Sequence, residues 1–243
     1  MINEKINRKI LAVWNKHFGA SDKVYAPIFY DDFKPGGILF IGINPSLKPK
    51  GQKKLKKDTE FENLDPEFFR WHNFAANPER VDTSIRMGRR VTTNYRYFAR
   101  MHEIAKECQT YFQHIDLFVY RHTKQKEFLP FVREGKKKTL NEFGRDQIEV
   151  FLEVLKSVRP SVIVVANASA SKIVEGQFKG DIAWDDERGF HWFSLNGNRI
   201  PIFFSAMLSG GALDNGSYER LLWHVTQSVT RGGVPTSSSR ELS

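Results

Sequence analysis

Residues 38–46 read ILFIGINPS. The first six are apolar except for Gly42, and they follow a Pro-Gly-Gly break at 35–37. A continuous apolar run of this length, bounded by turn signals, is typical of a strand buried on both faces of a parallel sheet. The run ends in Gly42–Ser46, where Asn44 and Pro45 predict a turn. Ligands of open α/β sheets bind outside the carboxyl ends of the strands, so this turn is the first candidate site.

Strands and helices alternate along the rest of the chain. This order predicts an α/β fold with three layers, α/β/α, around a mostly parallel central sheet. It also makes the loop at 205–211, after the last strand, a second candidate site. We expect one domain over 1–230 and a disordered Gly/Ser/Thr-rich tail at 231–243. The predicted helices are 2–18, one starting at Asp65, one from Thr92 or Thr93 to 112, one behind a capping box at Thr139–Glu142, 168–178 and 216–229; the predicted strands are 38–43, 115–120, 161–166 and a hairpin of 190–195 with 199–205.

Composition excludes several classes of protein. The chain has 243 residues, a formal net charge of +9 and a single cysteine, Cys108. A disulfide scaffold within one chain and a four-cysteine metal site are therefore impossible. No run reaches the roughly 20 apolar residues of a membrane span. Lys5 and Arg8 interrupt the place of a signal-peptide core, so we expect a protein that is not secreted and that works in the cytoplasm or nucleus.

The positive charge is concentrated in three clusters, which favour a polyanionic partner. Residues 48–57 contain six lysines, Lys53 and Lys54 among them. The segment 80–100 carries six arginines, including Arg89, Arg90 and Arg96, interleaved with aromatic residues. Guanidinium and aromatic groups together suit phosphate contacts and base stacking. A third cluster lies at 133–138, and for each cluster a solvated surface loop is the alternative.

Several common chemistries lack their motifs. There is no phosphate-binding GxxxxGK[ST] loop, no GxGxxG after a strand, no HExxH and no GxSxG. The acidic run 185–187 is most simply surface charge, and Cys108 lies among apolar residues at helical spacing, as a packed thiol does. We therefore expect no metal and no cofactor.

The turn at 42–46 is the motif through which the chain resembles a known family. ILFIGINPS at 38–46 resembles the first active-site motif of the uracil-DNA glycosylase superfamily, and is closest to that of its mismatch-specific thymine/uracil branch. RPSVIVVAN at 159–167 resembles the central strand of that superfamily, and IPIFFSAMLSG at 200–210 occupies the place of its second motif. The resemblance spans about residues 36–229. It implies a uracil-DNA glycosylase-like fold and a DNA partner, single- or double-stranded, with no metal or cofactor.

The resemblance also implies roles for individual residues. Asn44 would orient the water that attacks the sugar, and Ser205 stands near the place of the histidine that stabilises the leaving base. The alternative for Asn44 is a cap of the turn before Pro45. Arg121 or His122 would face the pocket where many relatives read the base with an asparagine. The other residues assigned to substrate are Gly42, Ile43, Pro45, Ser46, Met207, Leu208 and Ser209.

Two points of the assignment stay open in the sequence. Met207 and Leu208 either wedge into the base stack or are buried at the end of their strand. The aromatic ring that stacks on the base is not fixed: Phe61, Phe68, Phe69 and Trp71 follow the first motif, and core packing is the alternative for each.

The resemblance predicts a monofunctional DNA glycosylase that flips a damaged or mismatched base and hydrolyses its N-glycosidic bond. The alternative is a catalytically inactive nucleic-acid-binding module of the same fold, because the second-motif histidine is missing. A hydrolase of free nucleosides or nucleotides is a third, weaker hypothesis.

Overall fold

A computed structural model describes residues 3–46, 56–57, 59–65, 67–77, 79–135, 139–209 and 211–232. The predictions for Lys53, for Lys54 and for the tail from 233 onward lie outside these residues. Within the described residues, no helix is long and apolar enough to cross a membrane.

Six strands form one mixed, mostly parallel sheet in the order β2-β1-β3-β6-β5-β4. The strand β1 is buried at all five positions, as the apolar run predicted. Its partner β2 runs parallel to it, because Ile38 N donates to Tyr111 O and, further along both segments, Leu117 N donates to Gly42 O. The α/β/α prediction is confirmed. The strands are β1 Ile38–Gly42, β2 Phe112–Asp116, β3 Val162–Ala166, β4 Ile182–Asp185, β5 Phe190–Leu195 and β6 Asn198–Ser205.

The antiparallel side of the sheet contains the predicted hairpin. Asn196 and Gly197 both have positive φ, 50° and 79°, as the tight turn between right-twisted strands requires. The turn sets the register that pairs Leu195 with Asn198. The edge strand β4 was not predicted, because none of its four residues is buried and they show no alternation of apolar and polar side chains.

The helices agree with the sequence prediction at both ends of the chain and differ in the middle. The prediction of one helix from Thr92 or Thr93 to 112 was wrong. One helix covers 80–94 and ends in extended backbone at Tyr95, and a second covers 99–107 after a 3-10 turn at 96–98. Near Asp65 the chain makes a turn, in which Asp65 Oδ1 accepts from Glu67 N at 2.8 Å, and helix begins only at Trp71. The helices are α1 Glu4–Phe18, α2 Trp71–Ala76, α3 Arg80–Asn94, α4 Ala99–Glu107, α5 Gln125–Val132, α6 Glu142–Val158, α7 Ala168–Gln177 and α8 Asn215–Gly232, with a 3-10 turn at Arg96–Phe98.

The second strand begins and ends earlier than predicted. It spans 112–116 rather than 115–120. The apolar residues 117–120 are buried, which is why they read as strand. They continue as an irregular segment whose Leu117 and Phe118 N–H groups donate to the carbonyls of Gly42 and Ile43.

The contacts divide the chain into two compact units. The first unit is Met1–Pro35, Ile41–Phe98 and His114–Arg159; the second is Gly36–Phe40, Ala99–Gln113 and Pro160–Ser243. In the first, α1 packs on α6, with the Trp14 and Phe143 rings 5.4 Å apart. In the second, α7 and α8 pack on β3 and β6. There Cys108 is buried beside Thr226, so it is the packed thiol that the sequence predicted. The single domain over 1–230 stays a prediction.

The capping residue of α6 differs from the predicted one. Asn141, not Thr139, is the N-cap, and its side-chain oxygen accepts from Gly144 N at 2.8 Å. Its Nδ2 also donates to Phe131 O at 2.9 Å. Thr139 instead donates to Glu134 at the surface. The prediction of a Thr139 capping box was wrong because asparagine at the next-but-one position satisfies the helix end equally well.

We expect Asn141→Ala to lower the free energy of unfolding by about 1–2 kcal/mol, since it removes a helix cap. Thr139→Ala is the matched control and should change it by less than about 0.5 kcal/mol, as exposed sites do. Urea unfolding followed by circular dichroism measures both. A larger loss for the Thr139 variant would contradict the assignment of the cap.

Candidate active site

The turn after β1 is fastened to the segment that follows β2 within the first unit. Gly42 O accepts from Leu117 N at 3.0 Å, Ile43 O accepts from Phe118 N at 3.0 Å, and Pro45 O accepts from His122 N at 2.9 Å. These backbone bonds fix the direction in which the turn leaves the sheet. The position of Asn44 is therefore set by the backbone and not only by its own side chain.

The Asn44 carboxamide is oriented by three carbonyl groups. Its Nδ2 donates to His122 O at 2.7 Å and lies 3.3 Å from Pro45 O and 3.5 Å from Tyr120 O. Only the NH₂ end can face carbonyl oxygens, so Oδ1 must be the end that faces away. Among the described residues, none donates to Oδ1. Asn44 therefore fastens the turn, as its alternative role predicted. Its Oδ1 remains as an acceptor that faces away from these carbonyls. The role of Asn44 in orienting water stays a prediction.

Two polar side chains of β2 converge on Gly42. His114 and Asp116 are two residues apart on the strand and so point to the same face. A Cβ built on Gly42 would overlap Asp116 Oδ1 and would lie 3.0 Å from His114 Nε2. Only a residue without a side chain permits this approach. The predicted pocket residue Gly42 thus has a structural reason to be glycine, which the sequence did not reveal.

Burial controls the charge of both groups. Asp116 is 7% exposed, and this burial raises the pKa of its carboxyl to about 7, while the positive charge of Arg121 acts in the opposite direction. Burial lowers the pKa of His114 to about 4, so its imidazole is neutral. His114 Nε2 is enclosed and has no hydrogen-bond partner among the described residues, and none of them donates to the Asp116 carboxylate.

Aromatic and phenolic groups enclose the same pair. The His114 ring packs edge-on against Phe98, with centroids 5.1 Å apart, and against Tyr97, 5.9 Å apart. Burial, together with the negative charge of Asp116, raises the pKa values of the Tyr30 and Tyr97 hydroxyls. Both phenols therefore stay neutral, and among the described residues Arg121 is the cation that acts on Asp116.

That cation, Arg121, is engaged by the protein itself. Its Nε donates to Ala26 O at 3.0 Å, its Nη2 donates to Ser84 at 3.3 Å, and its guanidinium lies 4.7 Å from the centre of the Phe69 ring. Loss of solvent lowers the pKa of Arg121 to about 10, against the effect of Asp116. The guanidinium stays charged at neutral pH, and these contacts tie it to the scaffold. The prediction that it reads a base stays a prediction.

The remaining predicted site residues differ in exposure. Ile43 and Pro45 are buried, and Ser46 is exposed. In the second unit, Ser205 Oγ is buried without a hydrogen-bond partner among the described residues. Met207 is 36% exposed and Leu208 only 1%, so of these two only Met207 is available as a wedge. Ser209 is half-buried.

The four candidate stacking rings belong to the core. Phe61, Phe68, Phe69 and Trp71 are all buried, so the core-packing alternative is confirmed. An exposed ring lies elsewhere in the first unit. Phe131 is 46% exposed and stacks on Tyr120, with centroids 5.4 Å apart and planes at 24°. Sequence reasoning missed it because the helix α5 that carries it was not predicted.

Acidic side chains compensate part of the arginine cluster at 80–100. Arg89 pairs with Asp31, and Arg86 pairs with Glu60 and with Asp82. Arg90 is half-buried. Arg96 is exposed and has no ion-pair or hydrogen-bond partner among the described residues. Of the three arginines assigned to DNA, Arg96 is therefore the best placed for a phosphate.

Comparison with protein-family models and with curated proteins gives no match. The relationship to the uracil-DNA glycosylase superfamily therefore rests on the quoted motifs and stays a proposal. In the described part of the chain, no three His, Cys, Asp or Glu side chains gather as a metal site.

His114 and Asp116 are the two candidate site residues that sequence reasoning missed. Their signal was present: polar residues at alternate positions of a strand, facing the strand with the Gly42 motif, are unusual in a buried sheet. The signal was hidden because the second strand was placed at 115–120, which left His114 outside it.

We expect Gly42→Ala to destabilise the protein by about 1–3 kcal/mol, because the added methyl overlaps the Asp116 carboxylate in a packed interior. Gly88→Ala is the matched control. Gly88 lies in α3 with nothing within 4 Å of an added Cβ, so alanine should raise stability by about 0.5–1 kcal/mol. Urea unfolding decides: an unchanged midpoint for the Gly42 variant would contradict the close approach.

We also expect opposite pH dependences from Asp116 and His114. Between pH 3.8 and about 7 the folded state holds a proton on Asp116 that the unfolded state releases, so stability falls as pH rises. Between about pH 4 and 6.5 the unfolded state holds a proton on His114 that the folded state releases, so stability rises with pH. The two effects oppose each other in the wild type.

Single variants separate them. His114→Gln should leave the Asp116 effect, a loss of at most about 4 kcal/mol toward pH 7. Asp116→Asn should leave the His114 effect, with stability rising over the acidic range. Urea unfolding from pH 4 to 8 measures both slopes, and parallel curves for the two variants would contradict the assignment.

Proposed function

We propose that the protein removes a base from DNA by hydrolysing its N-glycosidic bond. The observation that carries the proposal is the Asn44 carboxamide, whose nitrogen is held by three carbonyls so that its oxygen is a fixed acceptor at the end of β1. Because the amide nitrogen is already hydrogen-bonded to carbonyl groups, a water molecule at this carboxamide donates to the oxygen, and this sets its orientation. The resemblance of 38–46 to the first glycosylase motif supports the same role.

The reaction needs a water molecule, access to the sugar and a way to stabilise the leaving base. Asn44 Oδ1 would accept a hydrogen bond from the water and fix its direction of attack. At Gly42 the missing side chain lets Asp116 and His114, rather than the substrate, approach the backbone. The histidine that would stabilise the base in relatives is missing, and we assign this task to backbone N–H groups.

A DNA partner is supported by exposed groups of the first unit. Arg96 is exposed and suits a phosphate contact. Tyr95 is 38% exposed and Phe131 is 46% exposed, and exposed rings can stack on unpaired bases. The net charge of +9 has the appropriate sign.

The direct test is incubation with oligonucleotides that carry uracil, a thymine mismatch, hypoxanthine or xanthine, in single- and double-stranded form. Release of a free base, leaving an abasic site, is the expected result. No release from any of these substrates by the folded protein would contradict the proposal. A preference for a free nucleoside or nucleotide would favour the third hypothesis instead.

We expect Asn44→Ala to reduce base release at least 100-fold, since the water loses its orienting acceptor. Asn94→Ala is the control, because Asn94 is an exposed asparagine at the end of α3 whose Nδ2 also donates to a backbone carbonyl. Single-turnover assays on the best substrate measure both variants. Thermal unfolding shows whether the Asn44 variant remains folded, and full activity in a folded variant would rule out the assigned role.

Binding without catalysis is the alternative, because the second-motif histidine is missing and Arg121 is bonded to the scaffold at Ala26 and Ser84. This alternative predicts binding that weakens with salt but no base release. Arg96→Ala should then reduce the salt dependence more than Arg89→Ala, because Arg89 already pairs with Asp31.

A further inference from the structure

Two hydrogen-bonding groups of the first unit face the Gly42 backbone and remain unsatisfied by the protein. The Asp116 carboxylate accepts no hydrogen bond from the described residues, and His114 Nε2 is enclosed without a partner there. An enclosed polar atom without a partner, as His114 Nε2 is, is costly and uncommon in folded proteins. Both groups lie against the Gly42 backbone, and a water molecule is the small polar partner that would satisfy His114 Nε2 there.

We propose that Asp116 is the proton acceptor for the attacking water, with His114 as a second hydrogen-bonding partner of that water. The inference rests on the proposed function. It adds a carboxylate from the second strand to a first motif that contains only an amide. Neither the composition nor the turn at 42–46 indicated this residue.

The geometry connects Asp116 to the turn that carries Asn44. Asp116 Oδ1 occupies the space that a Gly42 Cβ would take, and the N–H of the next residue, Leu117, donates to Gly42 O. Asn44 is two residues further along the first motif, and its amide is bonded to carbonyls of the same segment, at Tyr120 and His122. The acceptor and the orienting amide thus belong to two neighbouring segments fixed by backbone hydrogen bonds.

The step balances as a simple hydrolysis. The water oxygen forms a bond to C1′ of the sugar, and one water proton moves to the Asp116 carboxylate. The C1′–N bond breaks, and its electron pair stays on the base nitrogen. The base anion is then protonated by solvent, and Asp116 returns its proton to solvent. Asn44 has no ionisable proton and serves only to direct the water.

The charges around Asp116 suit a proton acceptor at neutral pH. The titratable groups that face it are Tyr30, Tyr97, His114 and Arg121. The two phenols and the imidazole are neutral near pH 7, so none competes as an anion. Arg121 limits the rise of the Asp116 pKa, which stays at about 7. A general base whose pKa lies near the working pH is deprotonated in a large fraction of the molecules and still binds the transferred proton strongly.

The test measures single-turnover base release from the best oligonucleotide between pH 5 and 9. For the wild type we expect the rate to rise about tenfold per pH unit and to level off above an apparent pKa near 7. Asp116→Asn should lower the plateau rate about 10²- to 10⁴-fold and abolish the rise, with DNA binding nearly unchanged. Asp32→Asn, an exposed carboxylate of the same unit, should behave as the wild type.

The outcomes separate the two proposals. Base release by the wild type together with full activity of Asp116→Asn overturns the role of Asp116 and leaves the proposed function standing. No release by the wild type overturns both. If the Asp116 variant does not fold, the wild-type profile alone decides, because a rate that is flat from pH 5 to 9 overturns the inference.

Discussion

The close approach of the second strand to the first at Gly42 is the constraint on which the candidate site depends. A side chain at this position would overlap the Asp116 carboxylate. Because glycine permits the approach, Asp116 and His114 of one strand reach the backbone of the next. The segment after β2 then bonds to the carbonyls of the turn, and Asn44 becomes fixed by the same segment.

This arrangement has an electrostatic cost. A carboxyl group and an imidazole are held where solvent is scarce, and both tend to be neutral there. In water near pH 5 the same two groups would be an anion and a cation, so folding replaces two charges by two neutral groups. Protein interiors tolerate such pairs mainly at functional sites, where perturbed pKa values serve chemistry. Arg121, Tyr30 and Tyr97 complete these surroundings.

The sequence predicted the α/β architecture well because its signals are local. The apolar run at 38–43 and the Asn-Gly turn of the hairpin determine their own conformation. The turn at 42–46 was proposed as a site for the same reason. The partners of that turn come from residues 114–122, and the polar pair His114 and Asp116 was not identified among them because the second strand was predicted at 115–120. The apolar residues 117–120 even shifted the predicted strand away from His114.

The charged clusters were also predicted only in part, because their partners come from distant parts of the sequence. Arginines at 80–100 read as a single basic surface, but Asp31 and Glu60 neutralise Arg89 and Arg86 from distant parts of the sequence. The candidate stacking rings at 61–71 proved to be core, because the sequence does not show which aromatic residues a distant segment covers. Long-range pairing, rather than local propensity, therefore decides which groups remain available for a ligand.

The most direct test of the account is a carbon-13 NMR titration of the Asp116 carboxyl, with and without an oligonucleotide that carries a cationic azasugar in place of the abasic site. The account predicts an apparent pKa near 7 in the free protein and a clear fall on binding, because a cation next to a carboxylate favours its charged form. An apparent pKa near the ordinary value for aspartate, unmoved by the oligonucleotide, would contradict it.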